Sequence, residues 1–287
     1  MKILLTGSKG QVGSALRRLL GAHELVATDR AALDLADARA IAQVVRTAQP
    51  EVIINTAAYN AVDKAEAEAP LALAVNAAAP GILAEEAKRL GALLVHYSTD
   101  YVFDGALGRP YAEADAAHPL QAYGRSKLEG EARIRATGCR HVILRTSWVY
   151  ADGAENFALL ILRKAAEGAP LRVAADQASI PTWAADLALL TKAVVERREA
   201  PLGTWHAAAG GETTRHAYAQ ELVRLAGFNV EVEAATTADF PGSAKRPRYS
   251  ALDSRRLARE SGIRAIGHWR ERLQAFLAGR QRQRSPA

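Results

Sequence analysis

TGSKGQVG, residues 6–13, joins an apolar run, KILLT at 2–6, to an amphipathic stretch at 11–20. Its glycines, Gly7, Gly10 and Gly13, meet three demands: a tight turn, close backbone approach to a pyrophosphate, and close packing of helix on strand. The helix that follows presents free N–H groups and a positive dipole end to phosphate. No G-K-[ST] closes the motif, which excludes a mononucleotide P-loop. Asp29 follows the second apolar run, 22 residues after Gly7, where a carboxylate binds ribose hydroxyls. The stretch therefore reads as a dinucleotide site. Lys9, Gln11 and Val12 complete the loop.

The rhythm around the motif agrees. Candidate strands KILLT (2–6), ELVAT (24–28), EVIIN (51–55), LLVHYS (93–98) and HVILRTS (141–147) alternate with helical patterns at 11–20, 37–48, 71–90 and 122–136. The runs are almost continuously apolar, as expected of strands covered on both faces. Strand–helix alternation of this kind predicts an α/β protein with a Rossmann-type, doubly wound parallel sheet. After residue 150 the rhythm loosens into a smaller α/β lobe interleaved with the first. The predicted division is a dinucleotide-binding domain at 1–150 to which 180–200 return, a substrate lobe at 151–179 and 201–278, and a flexible basic tail at 279–287.

Composition bounds the rest. The chain has 287 residues, 49% hydrophobic and 24% charged, an ordinary globular balance. Its net charge is +6, and Arg280, Arg282 and Arg284 account for half of that, so nucleic acid is not expected as a partner. No segment reaches the roughly 20 apolar residues of a membrane span. The single cysteine, Cys139, excludes an internal disulfide and reads as a small buried hydrophobe. These features predict a cytoplasmic protein, monomeric or weakly dimeric.

Two further stretches carry chemistry. STDYVFDG at 98–105 ends the fourth strand, and AYGRSKLEG at 122–130 places Tyr123 and Lys127 four apart on a helix. Residues i and i+4 share a face, so a lysine ammonium beside the phenol would favour the phenolate and bring a pKa near 10 toward neutrality. Thr99, at a strand C-terminus where open α/β sheets place ligands, would hold a substrate oxygen beside Tyr123.

The G-x-x-G-x-x-G spacing, the threonine at the end of the fourth strand and the Tyr-x-x-x-Lys pair resemble the short-chain dehydrogenase/reductase superfamily, in its extended branch acting on nucleotide sugars. STDYVFDG together with RTSWVY at 145–150 is most similar to the dTDP-4-dehydrorhamnose reductases, over residues 1 to about 255. The resemblance implies Thr99, Tyr123 and Lys127 as the catalytic set. NADPH or NADH would reduce the C4 ketone of dTDP-4-dehydro-L-rhamnose, the last step to dTDP-L-rhamnose, with Tyr123 as proton donor.

It further implies that Asp29, Arg30, Asp34, Leu35, Ala57, Ala58, Tyr59 and Asn76 bind the cofactor. Lys127 would reach the nicotinamide ribose, and Thr99, Asp100, Tyr101, Trp148 and Arg246 would bind substrate. Gln177, Pro181 and Thr182 would sit where the lobes meet. Several of these residues have a second reading: Asp34 as a turn or helix cap, Asn76 as a structural hydrogen-bonder, and Arg246 as a solvated arginine. Asp29 would repel a 2′-phosphate while Arg30 and Lys9 would attract one, so the choice between NADPH and NADH stays open.

Some relatives bind Mg²⁺ through a glutamate two residues after the last loop glycine. Alanine stands there, Ala15, and no metal site is predicted. Sugar dehydratases carry Asp-Glu after the threonine; here it is Asp100-Tyr101, which favours carbonyl reduction over elimination. The alternatives are another nucleotide-sugar reductase or epimerase, or a non-catalytic NADP-binding protein like the regulatory subunit of methionine adenosyltransferase.

Overall fold

The computed structural model describes residues 1–284 other than 154, 198, 241 and 243. Its main sheet has six strands: β1 (Lys2–Thr6), β2 (Glu24–Thr28), β3 (Val52–Asn55), β4 (Leu93–Thr99), β5 (His141–Thr146) and β6 (Gly203–His206). They lie in the order β6-β5-β4-β3-β1-β2, and every pairing is parallel. This is a Rossmann-type doubly wound sheet.

Both faces are covered, which explains the continuous apolar runs. Ile3, Leu5, Ile54, Val95 and Leu144 point to one face, against α1 (Gln11–Leu19) and a later helix, Ala184–Val195. Leu4, Ile53, Leu94 and Ile143 point to the other, with Ile41 and Val45 of α2 (Ala38–Ala48), Leu83 and Ala87 of α3 (Ala79–Leu90), and Ile134 of α4 (Ala122–Thr137). Cys139 is buried on this second face.

The pattern at 71–90 predicts one helix, but the chain forms Ala69–Leu73, a wider turn over Ala74–Ala78 and then α3. Pro80 has no N–H to donate to the carbonyl of Asn76, four residues earlier. The turn widens at that point.

The smaller lobe packs its own core, with Phe103, Tyr111, Tyr150, Tyr218, Trp269 and Phe276 at the centre. It includes a parallel pair, Leu171–Ala174 with Val232–Ala235. Two expected boundaries need correction. Residues 201–278 are not all in this lobe, because β6 pairs with β5 and Leu257 and Ile263 pack against the main sheet. Residues 279–284 are not a separate tail. They continue the helix Trp269–Arg284, and Arg280 pairs with Asp152; residues 285–287 lie outside the described residues. Among the described residues, no helix is long and apolar enough to cross a membrane.

Candidate active site

The strand order reverses between β1 and β3, and a cleft of about 300 Å³ opens there at the strands' C-terminal ends. Such switch points are where open α/β sheets bind ligands. The glycine loop forms the floor. A Cβ on Gly13 would stand 2.1 Å from the carbonyl oxygen of Gly7, a backbone atom that cannot swing aside. Gly13→Ala is expected to weaken dinucleotide binding by roughly 10–100-fold, read by calorimetric titration, because the loop must spread to relieve the overlap.

Of the expected cofactor residues, Gly7, Lys9, Gly10, Asp29, Arg30, Asp34, Leu35, Ala57, Ala58 and Tyr59 line the cleft. Thr6, Thr28, Leu33, Thr56, Asn60, Leu71 and Val75 line it too. The threonines Thr6 and Thr28 end β1 and β2, a position that could have marked them. Asp29 pairs with Lys9 and accepts the backbone N–H groups of Ala31 and Ala32, both at 3.0 Å. Lys9 first, then the Ala32 amide, hold this carboxyl below its ordinary value. Asp34 accepts the Ala36 amide at 3.0 Å while still facing the cleft, so its turn-capping and cleft positions coincide. The cleft thus has the glycine floor, acidic rim and apolar walls that a dinucleotide requires.

Six expected cofactor residues do not line this cleft: Gln11, Val12, Gly13 and Asn76, together with Tyr123 and Lys127 of α4. Gln11 and Val12 are half-buried on α1, outside the cleft lining, and Val12 packs against the core. Asn76 is buried and structural. Its Oδ1 accepts from the Tyr59 backbone (2.8 Å), and its Nδ2 donates to the Tyr59 carbonyl (3.1 Å) and to Ser126 Oγ (3.0 Å). The widened turn aims Asn76 at Tyr59 and leaves Val75 facing the cleft.

The Thr99–Tyr123–Lys127 set assembles where β4 ends against α4. Gly124 allows that approach, since a Cβ there would stand 2.1 Å from the Tyr101 carbonyl oxygen. Tyr123 is half-buried, with its ring edge-on to Tyr101 at 6.2 Å. Burial raises its phenol above the ordinary value, and the hydrogen bond with Thr99 opposes the rise. Lys127 differs from expectation. Its Nζ, nearly fully buried, donates to the Tyr97 carbonyl (2.6 Å) and faces His96 Nε2 (3.2 Å).

Asp100, expected to bind substrate, is 3% exposed and engaged by three hydroxyls: Thr99 (3.1 Å), Ser179 (3.1 Å) and Ser250 (2.5 Å). Burial pushes its carboxyl up to about 6 against those hydrogen bonds. It therefore ties the end of β4 to the smaller lobe. Arg246, expected on a diphosphate, is paired with Asp63 at 2.5 Å.

Trp148 has φ 39°, a left-handed conformation costly for a bulky residue and typical of functional sites. Its ring is covered by Arg215 at 4.3 Å, a cation that sequence reasoning missed because it sits in another lobe segment. Gln177 links Arg215 (3.2 Å) to Thr237 (2.9 Å) within the smaller lobe. Thr182 receives the Ala209 amide at 3.3 Å, and Pro181 is buried beside it. Among the described residues, no group of three or more His, Cys, Asp or Glu is placed to hold a metal ion.

Residues 1–282 match the family model described as RmlD substrate binding domain. The dTDP-4-dehydrorhamnose reductase of Burkholderia thailandensis is 39% identical, over 94% of this chain and 96% of that protein. Among solved structures, a dTDP-4-dehydrorhamnose reductase from Clostridium acetobutylicum superposes with a TM-score of 0.93 at 37% identity, covering 98% of this chain and 100% of that one. The Bacillus anthracis enzyme of the same name, solved in complex with NADP, gives 0.93 at 32% identity, over 97% and 100% of the two chains.

Proposed function

The chain belongs to the RmlD substrate binding domain family, and on that premise we propose that it reduces the C4 ketone of dTDP-4-dehydro-L-rhamnose to the alcohol of dTDP-L-rhamnose. The observation that carries this reading is the placement of Thr99 at the end of β4 against the start of α4, where Tyr123 stands, with Lys127 buried one turn further along that helix. When bound, a reduced nicotinamide supplies the reducing equivalent. Negative charge develops on the ketone oxygen, and Tyr123 delivers its proton there. The Thr99 hydroxyl lies beside the phenol and stabilises the same charge, as a fixed dipole aimed at a forming oxyanion does. Tyr101 and Trp148 supply the apolar wall for the deoxysugar. Arg246 exchanges Asp63 for a substrate phosphate, a partner its guanidinium fork suits.

Both NADPH and NADH fit the cleft, with NADPH preferred. Lys9 offsets the charge of Asp29, and Arg30 is exposed at the rim to receive a 2′-phosphate. The test mixes the protein with dTDP-4-dehydro-L-rhamnose and each reduced cofactor and follows the loss of nicotinamide absorbance. Oxidation is expected with both and faster with NADPH. Absence of oxidation with both cofactors overturns the reading.

A further inference from the structure

Among the described residues, the arginines that are not exposed are Arg145, Arg246, Arg256, Arg272, Arg280 and Arg215. All but the last meet a carboxylate: Glu131, Asp63, Glu260, Asp186 and Asp152 in turn. Arg215 meets none among the described residues. A guanidinium drawn partly out of water without a counter-charge is costly to hold, yet the fold holds this one firmly.

The hold is through Nε and through the faces of the guanidinium. Nε donates to Gln177 Oε1 at 3.2 Å, Gln177 Nε2 donates to Thr237 Oγ1 at 2.9 Å, and that hydroxyl donates to Asp176 Oδ1 at 2.7 Å. Gln177 is buried, and its backbone carbonyl accepts the Arg215 amide at 3.2 Å. The guanidinium carbon lies 4.3 Å from the centroid of the Trp148 ring and 5.2 Å from that of Phe157. Ring faces attract the cation and orient it, but they carry no net charge to neutralise it. Nη1 and Nη2 have no hydrogen-bond acceptor among the described residues and are open to solvent.

The acid that feels this charge is Asp100, next to Thr99. Burial raises the Asp100 carboxyl, and Ser250, Ser179, Thr99 and then Arg215 oppose the rise. The three hydroxyls occupy that carboxylate, and it forms no ion pair with Arg215. Nor do the cofactor's phosphates claim Arg215, which is not among the residues lining the dinucleotide cleft.

We infer that Arg215 is a specificity-determining residue whose open Nη groups grip the phosphate that carries the sugar of the substrate. On the proposed reading of the substrate, on which this inference rests, Trp148 walls the sugar and Asp100 adjoins Thr99 at the ketone. A cation stacked on that ring reaches the group joined to the sugar. Its two Nη groups form a planar fork that matches a pair of phosphate oxygens. Arg246 must give up Asp63 before it can take a phosphate, whereas Arg215 gives up nothing.

The test titrates full-length protein saturated with NADP⁺ with thymidine, dTMP and dTDP, read by calorimetry. dTDP differs from dTMP by the phosphate to which the sugar would be joined. Wild type is expected to bind dTDP more tightly than dTMP. Arg215→Gln is expected to weaken dTDP by about 10–100-fold, the worth of charge-assisted hydrogen bonds, and to leave dTMP and thymidine within about threefold. Arg215→Lys keeps the charge without the fork and is expected to recover part of the loss. In turnover, KM for the nucleotide sugar is expected to rise by the same factor at unchanged kcat and unchanged cofactor KM, the mark of lost binding.

An Arg215→Gln protein that binds dTDP as tightly as wild type overturns the inference. So does an equal loss for dTMP or thymidine, which would make Arg215 a support for Trp148 rather than a phosphate ligand. A wild type that binds dTDP no more tightly than dTMP overturns it too. If Arg215→Gln does not fold, Arg215→Lys decides by the same comparison. The titrations involve no turnover. A protein that reduces no dTDP-4-dehydro-L-rhamnose can still show Arg215-dependent binding of dTDP, and one that reduces it can show none, so the two failures are distinguishable.

Discussion

Tyr123→Phe is expected to lower kcat by roughly 10²–10⁴-fold, the range of general acid catalysis, with KM for the cofactor unchanged. The phenyl ring keeps its edge-on contact with Tyr101 and its place in the small apolar cluster with Tyr59. Only the hydroxyl is lost, and with it the proposed proton donor. Loss of kcat without loss of binding marks an interaction made in the transition state. Stopped-flow measurement of nicotinamide absorbance under saturating cofactor reads it directly. Full activity in Tyr123→Phe would remove Tyr123 from the mechanism even if the substrate is right.

Glu131→Ala is expected to cost about 3–5 kcal/mol of folding stability, the penalty for leaving a buried charge without its partner. Glu131 is fully buried. It binds Arg145 through both oxygens (2.9 and 2.7 Å) and also accepts from Ser98 (2.6 Å) and Arg135 (3.1 Å). Removing it strands the Arg145 guanidinium in the interior. Domain stabilities of about 5–15 kcal/mol make this loss large, and urea unfolding followed by circular dichroism measures it.

The effect depends on pH. Burial raises the Glu131 carboxyl, but Arg145, Ser98 and Arg135 together bring it below the ordinary 4.5. A carboxyl lowered in the folded state contributes stability above its unfolded pKa and loses it as pH falls. The gap between wild type and Glu131→Ala is therefore full at neutral pH and narrows as pH falls below 4.5. A gap independent of pH would show that the lost stability is packing rather than charge.

Much of the fold was legible because its signals are local. The apolar runs of β1 to β5 name their own strands, and TGSKGQVG carries both the turn and the helix start. β6 was not legible. GTWH at 203–206 is too short to declare itself, and its partner β5 lies some 60 residues earlier. The break in the 71–90 helix had a local sign in Pro80, but its consequence was not local: the wider turn turned Asn76 from the cofactor cleft to the Tyr59 backbone.

The site divides in the same way. The spacing of Tyr123 and Lys127 and the place of Thr99 after a buried strand marked the candidate catalytic residues by type and order, because helix periodicity and strand direction are properties of neighbouring residues. What those residues touch depends on chain segments far apart in sequence. Arg246 meets Asp63 across 183 positions, Asp100 meets Ser250 across 150, and Lys127 meets His96 across 31. By itself the sequence determined a dinucleotide-binding Rossmann sheet and the groups able to move a proton. Only the tertiary structure decided their protonation and partners, because desolvation and hydrogen-bond direction are imposed by whatever the fold packs around each group.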